Sequence, residues 1–409
     1  MANVHPFPAV MPPVEKASLV AAPPYDVLNT AEASELVAEN PLSFLRVGRS
    51  EIELPIQTDP YDEKVYLKAR DNYQRLCRQA PLSKDETASF YVYSLEMDGR
   101  SQTGIVAAPA VDDYDQNVIK KHEKTRRVKE DDRTRHITTL RSQTGPVFLT
   151  YPDSREIDEL VAKVTVNPPR FDFAAEDNVR HTGWRVPAAM TEDVHKAFLA
   201  VPSLYIADGH HRAASASRAR ATLRDANPTH AGNEEYNRFL AVIFPASQLR
   251  ILPYNRIVKD LNGLTASMLR ERIGKSFDVS PVEAPAPDAP RSVHMYLENK
   301  WWKLVYAGDA TALSPVDGLD VSLLQDLVLA PLLGIGDPRT DERIDFIGGI
   351  RGTRVLEELF EQGEAAVAFS MYPTTVEQLI AISDAGEVMP PKSTWFEPKL
   401  RDGLFVHDI

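Results

Sequence analysis

One cysteine, Cys77, occurs in 409 residues. A single thiol excludes an intrachain disulfide framework and any cysteine-based zinc or iron–sulfur centre. Glycine is scarce too, with 19 residues against 31 prolines, which predicts stiff, extended connections. No window approaches the roughly 20 uninterrupted apolar residues of a membrane span. The opening residues lack a charged leader and are broken by Pro6, Pro8, Pro12 and Pro13, so no secretory signal is read there. Positive charge is in deficit: 46 Lys and Arg face 59 Asp and Glu, a formal net charge of −13. That balance counts against a nucleic-acid duplex as partner, because neutralising phosphates takes Lys and Arg in excess. A local basic pocket for a small phosphorylated ligand is compatible with it. The expectation is a reduced, cytoplasmic protein with neither membrane nor nucleic-acid partner; no segment signals an oligomeric state.

What is present reads as a globular chain, 43 % hydrophobic and 26 % charged. Its length suggests two or three domains, at ~150 residues each. Lys64 to Gln79 carries Tyr66, Ala69, Tyr73, Leu76 and Cys77 on one helical face, which makes Cys77 a packing residue. Asp98-Gly99 between Phe90–Glu96 and Gln102–Ala107 predicts a hairpin. Helices are expected from Asp153 and over Thr191–Ala200, and Phe239–Phe244 is expected as a buried central strand. Residues 281–290, PVEAPAPDAP, hold four prolines and predict a connector between a region 1–280 and a C-terminal region 291–409. Thr374 with Glu377 predicts a capped helix, and Trp301-Trp302 reads as core in a hairpin. The mixed order of elements predicts an α+β class rather than a repeating βαβ wind.

The strongest local signal is Leu204-Tyr205-Ile206-Ala207-Asp208-Gly209-His210-His211-Arg212 running into an Ala-rich stretch. An apolar strand delivers the chain to a glycine turn, and a new helix offers unpaired N–H groups and its positive dipole end to an anion. His210, His211 and Arg212 add donors there. Asp208 repels phosphate, so its presence makes sense if it holds Mg²⁺ or accepts a proton. The plain alternative is a capped helix with solvated histidines. A second signal is the charged run from His122 to Arg133. His122-Glu123 suggests a metalloprotease helix, but the required second histidine is Arg126, so that chemistry fails. The run mixes carboxylates with cations as phosphoryl transfer does, or it is a salt-bridged exposed helix. Gly348-Gly349-Ile350-Arg351-Gly352-Thr353 matches neither phosphate-loop pattern and reads as a strand–turn–helix joint. Pro23-Pro24 stiffen a loop that presents Tyr25 and Asp26. No G-x-S-x-G occurs and Cys77 has no histidine partner, which leaves serine and cysteine hydrolases unsupported.

Together, Pro23-Pro24-Tyr25-Asp26-Val27, His122-Glu123-x-Thr125 followed by Asp132-Arg133, Asp208-Gly209-His210-His211-Arg212 and Met389-Pro390-Pro391-Lys392-Ser393-Thr394-x-Phe396-x-Pro398-Lys399 resemble the bacterial and archaeal domain-of-unknown-function family 1015. The match runs in order over nearly the whole chain and assigns no activity by itself. The Asp-Gly-His-His-Arg segment is also similar to the phosphate-binding motif of the ParB/sulfiredoxin-like fold, over roughly Pro6 to Phe244, and most of all to free-serine kinases of that fold. Sulfiredoxins need a cysteine where His210 stands, and partition proteins need a basic DNA-binding surface. The resemblance implies a ParB-like nucleotide-binding core and a kinase passing a phosphoryl group from ATP or ADP to a small hydroxylated metabolite, free L-serine first. On that reading Asp208 binds Mg²⁺ or takes the hydroxyl proton, with Glu123 the rival base. Gly209, His210, His211 and Arg212 hold the transferred phosphate, and Lys129 and Arg133 the nucleotide phosphates. Tyr25, Asp26 and His122 line the substrate pocket. The alternatives are a nucleotide-binding regulator without catalysis and a metal-dependent phosphohydrolase.

Overall fold

The structure, a computed structural model, describes residues 1–309 and 312–409. They form two compact units, one of Met1–Leu249 with Pro398–Ile409 and one of Arg250–Glu397. The chain thus divides after Leu249, and its last segment returns to the first unit.

The first unit is built on nine strands: β1 (Val4–His5), β2 (Tyr91–Met97), β3 (Arg100–Pro109), β4 (Ile119–Lys120), β5 (Val147–Tyr151), β6 (Phe171–Ala174), β7 (Arg180–Arg185), β8 (Leu204–Asp208) and β9 (Ala241–Pro245). Their order is β4-β8-β5-β9-β3-β2-β7-β6, with β1 on β3. β8 runs parallel to β4 and β9 parallel to β5, while the remaining pairs are antiparallel. The hairpin β2–β3 turns at Asp98 (φ 53°) and Gly99 (φ 74°), the two positive angles a tight two-residue turn demands. β9 is buried at every position because neighbours flank it on both edges, Ala241 facing Val147 on one side and Ala107 on the other. Helices α1 (Glu63–Gln79), α2 (Arg127–Leu140) and α3 (His210–Asp225) complete what positions the site. Asp62 caps α1, accepting from the Lys64 N–H, and Cys77 packs half-buried against the apolar cluster that α1 shares with Phe44 and Val406. Burial pushes that thiol's pKa up, the opposite of an activated nucleophile.

The C-terminal segment is part of this unit's core. Val406 pairs with Val10 and His407 with Gln143. The Phe405 ring lies 5.5 Å from Tyr91, 5.7 Å from Tyr93 and 5.7 Å from Phe171. Phe405→Ala is expected to cost ~3–5 kcal/mol, as for other buried aromatics. Urea unfolding checks this, and an unchanged midpoint would show the segment to be a mere appendage.

The second unit carries a six-stranded antiparallel sheet of β10 (Tyr254–Val258), β11 (Phe277–Pro281), β12 (Ser292–Leu297), β13 (Lys300–Tyr306), β14 (Ile344–Gly348) and β15 (Val367–Met371), in the order β11-β13-β12-β15-β10-β14. Residues 282–291, which hold three of the four prolines of the 281–290 run, join β11 to β12 inside this unit, and Pro281 ends β11 opposite Trp302. Trp301 is buried with Tyr296 and Leu356. The helix expected from Thr374 starts one residue later. Thr375 caps it reciprocally with Gln378, and the Thr374 hydroxyl instead donates to the Ser393 carbonyl. β14 ends at Gly348 and passes through one 3-10 turn into the helix Arg354–Glu361, the plain joint expected. Segregated antiparallel and mixed sheets with helices make the class α+β. Among the described residues no helix is long and apolar enough to cross a membrane.

Candidate active site

β8 ends at Asp208, Gly209 follows at φ 93°, and α3 begins at His210. The register of β8 against β5 shifts between Ile206 and Asp208: Ala207 drops out of the ladder, and Asp208 pairs with Phe148 as the chain reaches the turn. Gly209 supplies the left-handed angle that a side chain resists. No side chain caps α3, so the N–H groups of its first turn, carried by His210, His211 and Arg212, have no intrahelical acceptor and point out at the turn. The strand–glycine–helix arrangement is the one read from the sequence.

Lys399 and Arg212 are the cations that act most on Asp208 at this turn. Lys399 donates to Asp208 Oδ2 at 2.9 Å. Arg212 is buried, donates to the Pro146 carbonyl and lies 3.8 Å from Asp26 Oδ1, while its Nε has no partner among the described residues. Burial works against ionisation of Asp208, but Lys399 and then Arg212 outweigh it and hold the carboxyl well below the usual carboxylate range. Burial also opposes the Arg212 charge, and Asp26 and Asp208 outweigh it.

The histidines are neutral donors rather than cations. His122 meets His210 edge-on, ring centroids 4.4 Å apart, and its backbone N–H points at His210 Nε2 at 3.5 Å. That leaves the ring proton of His210 on Nδ1, 3.7 Å from Glu123 Oε2. His211 Nε2 accepts from the Arg126 backbone N–H at 3.0 Å. Burial lowers all three pKa values, that of His122 to about 4.

The segment before α2 therefore reaches the Asp208 turn across some 85 residues of sequence, bringing His122 and Glu123 to His210. The start of α2 is tied to α3 by Ser215, which donates to the Glu130 carbonyl, and by Arg218, which pairs with Glu130 and Asp131. Those pairs realise the salt-bridged reading for part of the run. Arg133 stacks on the Tyr25 ring at 4.1 Å and bonds Asp132 at 2.9 Å. The Lys129 ammonium lies 5.6 Å from the centre of the Tyr61 ring and its charge is felt at His211.

Beside Arg212 lies a cavity of about 40 Å³, lined by Tyr25, Gly48, Arg133, Gly145, Arg212 and Asp402 among others. Asp402 is 5 % exposed, and its Oδ1 has no hydrogen-bond partner among the described residues. Burial pushes its carboxyl up to about 7, against the pull of Arg212, with Asp26 adding to the rise and Arg133 and Arg401 opposing it. An acid with a folded pKa above its unfolded ~3.9 binds its proton more tightly when folded. Its stabilising contribution is fully present below the unfolded value and is lost as pH rises through about 7. Asp402→Asn has no such proton, so its thermal midpoint should fall less than wild type's over that window. Parallel curves would place the titration elsewhere.

The sequence reading puts Mg²⁺ at Asp208. Among the described residues no three of His, Cys, Asp and Glu group as metal ligands, and the Lys399 ammonium occupies an oxygen of Asp208. A divalent ion would share one carboxylate with an ammonium and the nearby Arg212. That donor set does not fit a resident Mg²⁺.

The family model described as a protein of unknown function, DUF1015, matches residues 4–322. The chain belongs to DUF1015. No curated protein matches this DUF1015 chain. Among solved structures it is similar to a free serine kinase in complex with AMP, at 16 % identity over 75 % of this chain and 91 % of that one, with a TM-score of 0.38. It is similar to SbnI with C-terminal truncation from Staphylococcus aureus, at 12 % identity over 74 % and 87 %, TM-score 0.39. It is also similar to a conserved hypothetical protein from Pyrococcus furiosus, at 16 % identity over 74 % and 95 %, TM-score 0.34.

Sequence reasoning gave Lys399 and Asp402 of this DUF1015 chain no place in the site. Lys399 stands in the Met389–Lys399 run that carries the family resemblance, and that run was the one available signal. Nothing in Leu400-Arg401-Asp402 marks Asp402 as buried.

Proposed function

We propose that the protein transfers a phosphoryl group from ATP or ADP to the hydroxyl of a small polar metabolite in the cytoplasm, with free L-serine the leading acceptor, on a ParB/sulfiredoxin-like core. The observation that carries this reading is the meeting, at one strand-to-helix turn, of a helix N-terminus, Arg212 and Lys399 with the carboxylates Asp208 and Glu123. Cations and N–H groups hold phosphoryl oxygens, and a carboxylate takes the acceptor's proton. The N–H groups of the first turn, Arg212 and Lys399 receive the transferred group, with His210 and His211 as neutral donors. Lys129 and Arg133 serve the remaining phosphates, while Tyr25, Asp26 and His122 line the acceptor's side. The acceptor oxygen forms a bond to phosphorus as the bond to the nucleotide's leaving phosphate oxygen breaks, and the hydroxyl proton passes to Glu123.

Glu123 is the better base. A carboxylate held ionised by an ammonium, as Asp208 is by Lys399, has low proton affinity, and effective bases titrate nearer the working pH. Asp208 instead positions Lys399. Purified protein incubated with Mg-ATP or Mg-ADP and a pool of hydroxylated metabolites tests the reading. A phosphorylated metabolite is the expected product. Free phosphate alone would favour a phosphohydrolase, and nucleotide binding without turnover a regulator.

A further inference from the structure

We propose that Asp402 is a specificity residue that accepts the α-ammonium group of a free hydroxy-amino acid. The inference rests on the phosphotransfer reading for the fate of the hydroxyl and on the cavity alone for the amino group.

Asp402 is a buried carboxyl whose Oδ1 is unpartnered among the described residues, in the wall of the cavity beside Arg212. An orphaned buried acceptor of this kind costs free energy and calls for an explanation. Its place is fixed from behind, because the Asp402 N–H donates to the Ala22 carbonyl at 2.9 Å and its carbonyl accepts from Ala22 N–H at 3.1 Å. Position 145 is glycine because the Asp402 carboxyl packs against it: a Cβ there would stand 2.8 Å from Oδ1 and 3.2 Å from Oδ2, so any side chain would displace the carboxyl from the cavity wall. A cavity of about 40 Å³ has room for a group the size of a water molecule, which an ammonium is, and not for a nucleotide.

The charges agree. Burial keeps the Asp402 proton near neutrality, so an arriving cation supplies what the ionised carboxylate lacks. Arg212, which also lines the cavity, supplies positive charge on that side. A cavity of this size takes the ammonium end alone, on Asp402, and leaves Arg212 to the phosphoryl group. A bare phosphate uses Arg212 and leaves the Asp402 acceptor unmet.

Calorimetry with L-serine and with 3-hydroxypropionate, which lacks only the amino group, tests the proposal without requiring turnover. Wild type is expected to bind L-serine about 10- to 100-fold more tightly, the scale of a charge-assisted hydrogen bond. Asp402→Asn should erase that difference and leave 3-hydroxypropionate unchanged within about threefold. Gly145→Ala, whose methyl would push the Asp402 carboxyl from its place, should weaken L-serine selectively and covers the case in which the Asn variant does not fold. Equal binding of both compounds by wild type, binding of neither, or discrimination that survives in Asp402→Asn overturns the proposal. If L-serine binds in the expected pattern and no phosphoserine forms with ATP or ADP, the kinase reading fails and the amino-group site stands.

Discussion

Glu123→Gln should lower phosphoryl transfer by ~10²- to 10⁴-fold, the range for losing an acid–base group. Nucleotide affinity and thermal midpoint should hardly move, because the side chain is 48 % exposed and a glutamine keeps its shape. A stopped or steady-state assay of phosphorylated product, read beside nucleotide titration, separates the two effects. If Glu123→Gln turns over normally while Asp208→Asn does not, the proton goes to Asp208, and the Lys399 contact must open during the reaction.

Arg212→Lys is expected to cost on the order of 100-fold in kcat/KM, expressed mainly in KM for the nucleotide. The guanidinium reaches the Pro146 carbonyl, faces Asp26 and keeps Nε spare, three directions at once. A lysine keeps the charge and loses the fork. Because the site is buried, the folded state of the variant is checked first by circular dichroism. An unchanged nucleotide KM in a folded variant removes Arg212 from the phosphate site.

The difference between what the residues announced and what they did not is one of distance along the chain. The Asp208 turn was legible because each part acts locally: an apolar strand, a glycine with positive φ and an alanine-rich helix. The Asp98-Gly99 hairpin and the α1 helix were legible for the same reason, and α1 begins one residue before the expected Lys64 because Asp62 caps it. The run from His122 to Arg133 was ambiguous, since its charges fit a solvated face as well as a site, and in the structure it splits between the two roles. Lys399 was illegible as the partner of Asp208, 191 residues away, because no periodicity reports a contact of that span. The proline run 281–290 misled for a different reason. Four prolines forbid a strand interior, yet they serve equally well between two strands of one sheet as between domains.

The return of Pro398–Ile409 to the first unit has a consequence in time. A ribosome making this chain finishes nearly all of the first unit, then the whole of the second, before it supplies Lys399, Asp402, Phe405 and Val406. Until then the strands around Val10 and Gln143 lack their last neighbours, and Asp208 lacks its ammonium. A nascent chain stalled in the second unit therefore holds Asp208 without its counter-ion and a core without the Phe405 ring. Such a species exposes apolar surface and invites chaperones or proteases. Completion of the site is thus delayed until the second unit has been translated, and no partly made chain can display it.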